Sequence, residues 1–347
     1  MPATGEISPL LVDRVTSAAT ERLSPGKGWI VSPVFDLLFL ANLGWLLLLI
    51  PGITHSDISI DFWTVYYLSL PHRWITLVLV VADPDRRDGR GLLLSAIATG
   101  AAILVAGIYF GTGTFLCLAM VDYLWNAWHF GSQHGGVLRM YSRKVGGGVD
   151  WLERWGVRGL VVYAAIRTVG WATGDLDTHP DALAWLRAAD LAVLLVPVAL
   201  LFTNLVGANR DRIGKLAYVG SVCLLYSGIV LGVRMGWTGI TLAVIAAGTL
   251  FHAVEYLAVV THYAWRRETV GTDGRFRVLA RHWLTYLALY ALLLGSAGAW
   301  MSRPEGGLVL LWQGLNLWAS FVHYAFDGMI WKLRRPATAA ALGVGAA

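Results

Sequence analysis

The sequence predicts an all-α fold, a polytopic transmembrane helix bundle of about ten spans with both termini cytoplasmic. Three observations predict it. The 347 residues are 56% hydrophobic and only 14% charged, whereas a soluble chain carries about a quarter charged residues. Apolar runs of about 20 residues, the length that crosses a bilayer as helix, recur along the whole sequence. Basic residues gather in alternate loops, which orients the spans.

In chain order, residues 1–31 are polar and Ser/Thr-containing, with no short apolar core before a cleavage site. They are expected to form a cytoplasmic N-terminal segment rather than a signal peptide. Residues 32–335 are expected to hold the bundle, with spans near 32–51, 62–82, 91–110, 114–141, 151–172, 182–207, 213–233, 237–265, 279–301 and 307–333. Turn chemistry marks the cuts: PGITHSD after the first span, GTGT at 111–114 and SRPEGG before the last. Residues 336–347, PATAAALGVGAA, read as a disordered small-residue tail.

Arg86, Arg87 and Arg90, then Arg139, Arg143 and Lys144, then Arg210, Arg212 and Lys215, then Arg266 and Arg267 mark one set of loops. The opposite set carries little more than Arg234 and Arg303. A bacterial inner membrane, crossed many times, is the expected location. The net charge of +5 sits in short loops between spans and is no nucleic-acid signature. Cys117 and Cys223 lie inside apolar runs, so neither a disulfide framework nor a thiolate metal site is readable.

Polar side chains in hydrocarbon are costly and mark function. Of nine histidines, His55 and His179 fall in outer loops and His282 begins the ninth span. The other six lie on the second, fourth, eighth and tenth spans: His72, His129 with His134, His252 with His262, and His323. His72 precedes Asp83 by eleven residues, His129 precedes Arg139 by ten, His252 precedes Arg266 by fourteen and His323 precedes Lys332 by nine. At 1.5 Å per residue, these four share one layer about 13–21 Å from the cytoplasmic boundary.

Helical spacing gives each of the four a polar companion on its own face. Asp122, Asn126, His129 and Gln133 form one stripe, with His134 one step off it. His252 clusters with Glu255 and Tyr256, while His262 follows the Glu255 face. Asn316, His323 and Asp327 share a stripe, as do Ser69, His72, Thr76 and Asp83. Pro71 is expected to kink the second span, and Gly131, Gly135 and Gly136 to permit a distortion beside His134. A weak internal repeat lays DYLWNAWHFGSQHG on NLWASFVHYAFDG, matching His129 to His323 and Gln133 to Asp327, and LPHRWITL on LFHAVEYL, matching His72 to His252.

The expected metal ligands are therefore His72, His129, His252 and His323, with His134 and His262 as further members. Glu255 and Asp327 would bridge or orient. Tyr256, Gln133, Asn126 and Asn316 would handle protons or hold the ligands in place. Arg73, buried beside His72, needs an anionic partner, either a substrate group or Glu255 or Asp327. Each histidine taken alone is equally a core residue bonded to a backbone carbonyl. Imidazole with carboxylate suits iron, zinc, copper or manganese. Three function classes fit. One is a mono- or dinuclear non-haem iron enzyme oxidising a lipophilic substrate with dioxygen by hydroxylation, desaturation or cleavage, with an external electron donor where needed. The others are a haem-binding electron-transfer protein and a proton-coupled transporter.

In kind, the pattern resembles the multi-histidine membrane oxidoreductases, the fatty-acid desaturases and hydroxylases, although their His-x-x-x-His and His-x-x-His-His boxes do not occur here. LPHRW, with Pro71 and His72, and WHFG, Trp128 to Gly131, are similar to pieces of the Brp/Blh carotene-cleaving membrane oxygenases. The aspartate expected after each piece is absent, and the likeness covers about two spans of ten. That resemblance implies a single iron held by four histidines, dioxygen and an isoprenoid-like substrate.

Overall fold

The computed structural model describes residues 28–50, 64–87, 89–174, 179–269 and 275–344. Among these every regular element is helical. The long helices are α1 (Leu70–Ala82), α2 (Gly91–Thr112), α3 (Leu116–Val145), α4 (Val157–Thr173) and α5 (Pro180–Leu205). They continue with α6 (Ile213–Met235), α7 (Thr238–Thr269), α8 (Trp283–Met301) and α9 (Val309–Ile330).

Six segments are long and apolar enough to cross a membrane: Val65–Ala82, α2, α5, Arg210–Met235, Thr238–Glu268 and α8. They mark a membrane protein but stop short of the expected ten spans. The polar stripes of α3 and α9 dilute their hydropathy. The expected first span is not a continuous helix. It breaks into Pro33–Phe35, a π-helical turn Asp36–Leu40, Asn42 at φ 46° and a 3-10 stretch Leu43–Leu48. The buried Asp36 carboxylate holds that break, accepting hydrogen bonds from the backbone of Ile30 at 2.6 Å and Val31 at 3.0 Å and from the Tyr141 hydroxyl at 2.7 Å.

The GTGT hairpin forms as predicted: α2 stops at Thr112, Gly113 takes φ 72°, and α3 begins at Leu116. Pro71 sits in the first turn of α1, where a π-helical turn (Thr64–Ser69) gives way to α-helix. The helical run is continuous from residue 64 to 82, so this proline withholds an N–H from the turn before it, and the wide π-helical turn lies where that bond is missing. No distortion interrupts α3 near His134. Gly131 instead admits α4, since a Cβ there would lie 2.7 Å from the Arg158 Cα. The C-terminal segment also departs from expectation. Pro336–Ala341 is a short helix, and Thr338, Ala339, Leu342 and Val344 are buried against the bundle. Residues 1–27 and His55 lie outside the described residues.

Packing divides the helices into an inner ring and an outer shell. α9 packs on α1 and α3, and α7 also packs on α1 and α3, so the four histidine-bearing helices close a ring. α2 lies outside α9, α8 outside α1, and α4 and α6 outside α3. The shell exposes Leu92 at 87%, Phe110 at 84% and Leu293 at 70%. Large apolar side chains left that open in row after row belong against lipid. Two buried cations inside the bundle are paired: Arg167 grips Asp190 through two bonds of 2.8 and 3.2 Å, and Lys215 meets Glu153 at 2.7 Å.

Candidate metal centre

The inner ring brings His72, His129, His252 and His323 to one place, and each is at least nine-tenths buried. Two pairs touch through Nε2, His252 with His72 at 3.2 Å and His323 with His129 at 3.0 Å. The rings close a cycle. Centroids lie 4.8 Å apart for His72–His252, 5.1 Å for His252–His129, 4.7 Å for His129–His323 and 5.2 Å for His323–His72. Successive planes cross at 71–89°. Ligand atoms of His72, His252 and His323 lie within 4.8 Å of one another, as do those of His129, His323 and Asp327.

With metal–imidazole bonds of about 2.1 Å, neighbouring nitrogens on one ion lie about 3.0 Å apart at a right angle and about 3.4 Å apart at the tetrahedral angle. The two contacts, 3.2 and 3.0 Å, suit that spacing. They suit N–H···N hydrogen bonds equally, but such bonds do not explain why four imidazoles are desolvated in two overlapping groups beside a carboxylate.

The surroundings orient the rings. The Thr76 hydroxyl lies 2.8 Å from His323 Nδ1 and donates to Asp327 Oδ1 at 3.1 Å. In that network, assigned from heavy-atom positions, His323 carries its proton on Nδ1 and its Nε2 lone pair faces the centre. An imidazole with Nδ1 so engaged serves one ion and cannot bridge two. Asp327 also accepts from the Tyr256 hydroxyl at 2.7 Å, and its Oδ2 lies 3.7 Å from His129 Nε2 and 3.6 Å from His323 Nε2. Trp331 Nε1 donates to Tyr256 at 3.2 Å.

The other predicted residues divide. Glu255 is at no ligand position. It accepts from Gln133 Nε2 at 2.6 Å and from the Tyr218 hydroxyl, and its Oε2 lies 3.0 Å from His134 Nδ1. His134 Nε2 reaches the Tyr226 hydroxyl at 3.0 Å. These residues form a second buried cluster behind His252, tied to it because Gln133 Nε2 also donates to the His252 carbonyl at 2.9 Å. His262 stands apart, its Nε2 3.1 Å from the Leu342 carbonyl. Asn126 accepts from Tyr324, as Asp122 does, while Asn316 turns to its own helix at Trp312. Arg73 donates to Ser320 at 2.9 Å, and among the described residues no ion pair joins it to Glu255 or Asp327.

Sequence reasoning missed Tyr218, Tyr226, Ser320 and Tyr324. Tyr218 and Tyr226 are eight residues apart on α6, which places them on one face. That spacing was a readable signal, obscured by thirteen tyrosines in the chain.

The quartet has one open side. A cavity of about 810 Å³ reaches His129, Asp327 and Tyr256 and is walled by Trp125, Trp128, Trp155, Tyr324 and Trp331. Ligand pockets are commonly about 300–1,000 Å³. No family model, curated protein or solved structure matches this chain.

Proposed function

We propose that the protein is a multi-pass enzyme of a bacterial inner membrane, with about ten spans and cytoplasmic termini, that uses one non-haem iron to oxidise a lipophilic substrate with dioxygen. The closed quartet of imidazoles at the end of an aromatic cavity is the observation that carries this reading. His72, His129, His252 and His323 would hold the ion. Four nitrogens leave positions open, and iron with open positions supplies oxygen activation. Zinc would fit the same donors, but its usual four-coordinate structural sites are closed.

The chain's own groups have roles beside the ion. Asp327, held by Tyr256 and Thr76, can accept a proton on the cavity side of His129. The tryptophan walls exclude water and align an apolar chain. Cleavage of a carbon–carbon double bond by dioxygen into two carbonyls balances without added electrons. Hydroxylation or desaturation each takes two electrons and two protons from an outside donor. A haem fits poorly, because the four imidazoles touch or nearly touch one another, with centroids 4.7–5.2 Å apart, and leave no slot for a porphyrin between them.

Metal analysis with an absorption spectrum on detergent-purified protein tests the reading. The expected result is about one iron per chain and no Soret band, with the metal lost in His129→Ala, His252→Ala and His323→Ala. Folded wild-type protein without metal, or variants that retain full metal and activity, would sink it. A Soret band would move the histidines to haem ligation, and a metal-free folded protein would return them to proton transport.

A further inference from the structure

The cavity that reaches the quartet is lined by cations with almost nothing to oppose them. Asp327, at the buried inner end, is the acidic residue among the described residues that line it. Against it stand Arg139, Arg143, Arg154, Arg158, Lys332 and Arg334. Arg139 is neutralised by Asp150. The other five form no ion pair among the described residues.

A basic rim at a cytoplasmic membrane surface is ordinary by itself. Arg158 is not explained that way. It lies at the level of Gly131 and Ser132, one turn from His129, and donates to Ser132 Oγ at 3.0 Å. Its guanidinium sits 5.2 Å from the rings of both Trp128 and Trp155. Arg154 stands four residues before it on the same cavity wall. Two like charges one turn apart, Arg154 exposed and Arg158 partly buried against tryptophan, gain stability from an anion placed between them and the cavity. Along α3, Arg139 and Arg143 continue the basic wall ten and fourteen residues beyond His129, about 15–21 Å toward the mouth.

We infer that the cavity binds an amphiphile with an anionic headgroup, a carboxylate or phosphate, gripped by Arg154 and Arg158 and the basic mouth, with its apolar chain against the tryptophans beside His129. The substrate class is then an acidic lipid rather than a neutral hydrocarbon. This rests on the reading of the quartet as the reacting centre.

The test is equilibrium binding, by quenching of tryptophan fluorescence, on detergent-solubilised wild-type protein of measured metal content. The probes are oleate, methyl oleate and phosphatidylglycerol. Oleate or phosphatidylglycerol is expected to bind at least about tenfold more tightly than the ester, as a charge-assisted contact implies. Arg154→Gln with Arg158→Gln is expected to abolish that discrimination while metal content is unchanged. Arg154→Gln with Arg334→Gln, farther from the packed core, should reduce it in the same direction. Preference for phosphatidylglycerol assigns the site to a bilayer phospholipid, and preference for oleate to a free acid. Equal binding of ester and acids by the wild type overturns the inference whatever the variants do. Metal present without discrimination removes the acidic lipid and leaves the oxygenase reading. Discrimination without metal keeps the anion site and removes the oxygenase.

Discussion

Replacing Thr76 by valine separates holding a metal ligand in place from merely filling space. The side chain is fully buried, and valine conserves its shape. The hydroxyl lies 2.8 Å from His323 Nδ1, 2.6 Å from the Tyr256 hydroxyl and 3.1 Å from Asp327 Oδ1. Asp327 keeps Tyr256 as a donor when the hydroxyl goes, but among the described residues His323 Nδ1 loses its acceptor. An imidazole freed at Nδ1 can rotate, and its basicity at Nε2 falls. Loss of such a supporting contact typically lowers metal affinity about 10–100-fold, which is about 1.4–2.7 kcal/mol. The unsatisfied buried donor costs the fold about 1–3 kcal/mol more, with or without metal. Competition of purified protein against a chelator measures the affinity, and thermal unfolding of metal-free protein measures the separate cost to the fold. Thr76→Ser should restore both. A Thr76→Val protein that folds and binds metal within twofold of wild type would refute the orienting role and, with it, the assignment of Nε2 to the ion.

Two further outcomes follow from residues outside the quartet. His262→Ala should keep its metal while the 336–344 segment loosens, seen as faster amide exchange there, because His262 ties α7 to the Leu342 carbonyl. Loss of metal in that variant would return His262 to the site. Gly131→Val should destabilise the fold by about 1–3 kcal/mol, the usual cost of overpacking. The new Cβ would lie 2.7 Å from the Arg158 Cα, where backbone must move. An unchanged unfolding midpoint would show that α3 and α4 part easily.

Much of the centre was readable because helix period and depth can be counted along a single chain. His72, His129, His252 and His323 met as that count required. Three expected members stand away from the quartet, two by angle and one by distance along its helix. At about 100° per residue, Glu255 lies about 60° around the helix from His252, enough to face His134 and Tyr218 instead of the other three histidines. His134 is five residues from His129, about 140° away. His262 is ten residues from His252, about 15 Å farther along the axis. Each shares a helix with a quartet histidine but lies away from the quartet. The broken segment at 33–48 was hidden for a different reason. Its composition is that of a span, and the break depends on Asp36 meeting Tyr141 across the fold. The packed C-terminus was hidden likewise, since alanine and glycine carry no pattern until a neighbour such as His262 contacts them.

The contacts within the quartet follow the sequence match between its segments. Residues matched by an offset of 180 meet directly: His72 with His252, Thr76 with Tyr256, and Asp83 with Tyr263. Contacts between positions at three successive levels show α1 and α7 running parallel. His129 and His323, matched in the other half of the repeat, also meet each other. Each of the two matched segment pairs thus supplies one of the touching histidine pairs. The symmetry then breaks at one position. Asp327 stands beside the imidazoles, whereas its counterpart Gln133 turns to Glu255. In the proposed reading that single carboxylate gives the centre a direction. Proton traffic and substrate both belong on the cavity side, where Asp327 and His129 line the same opening.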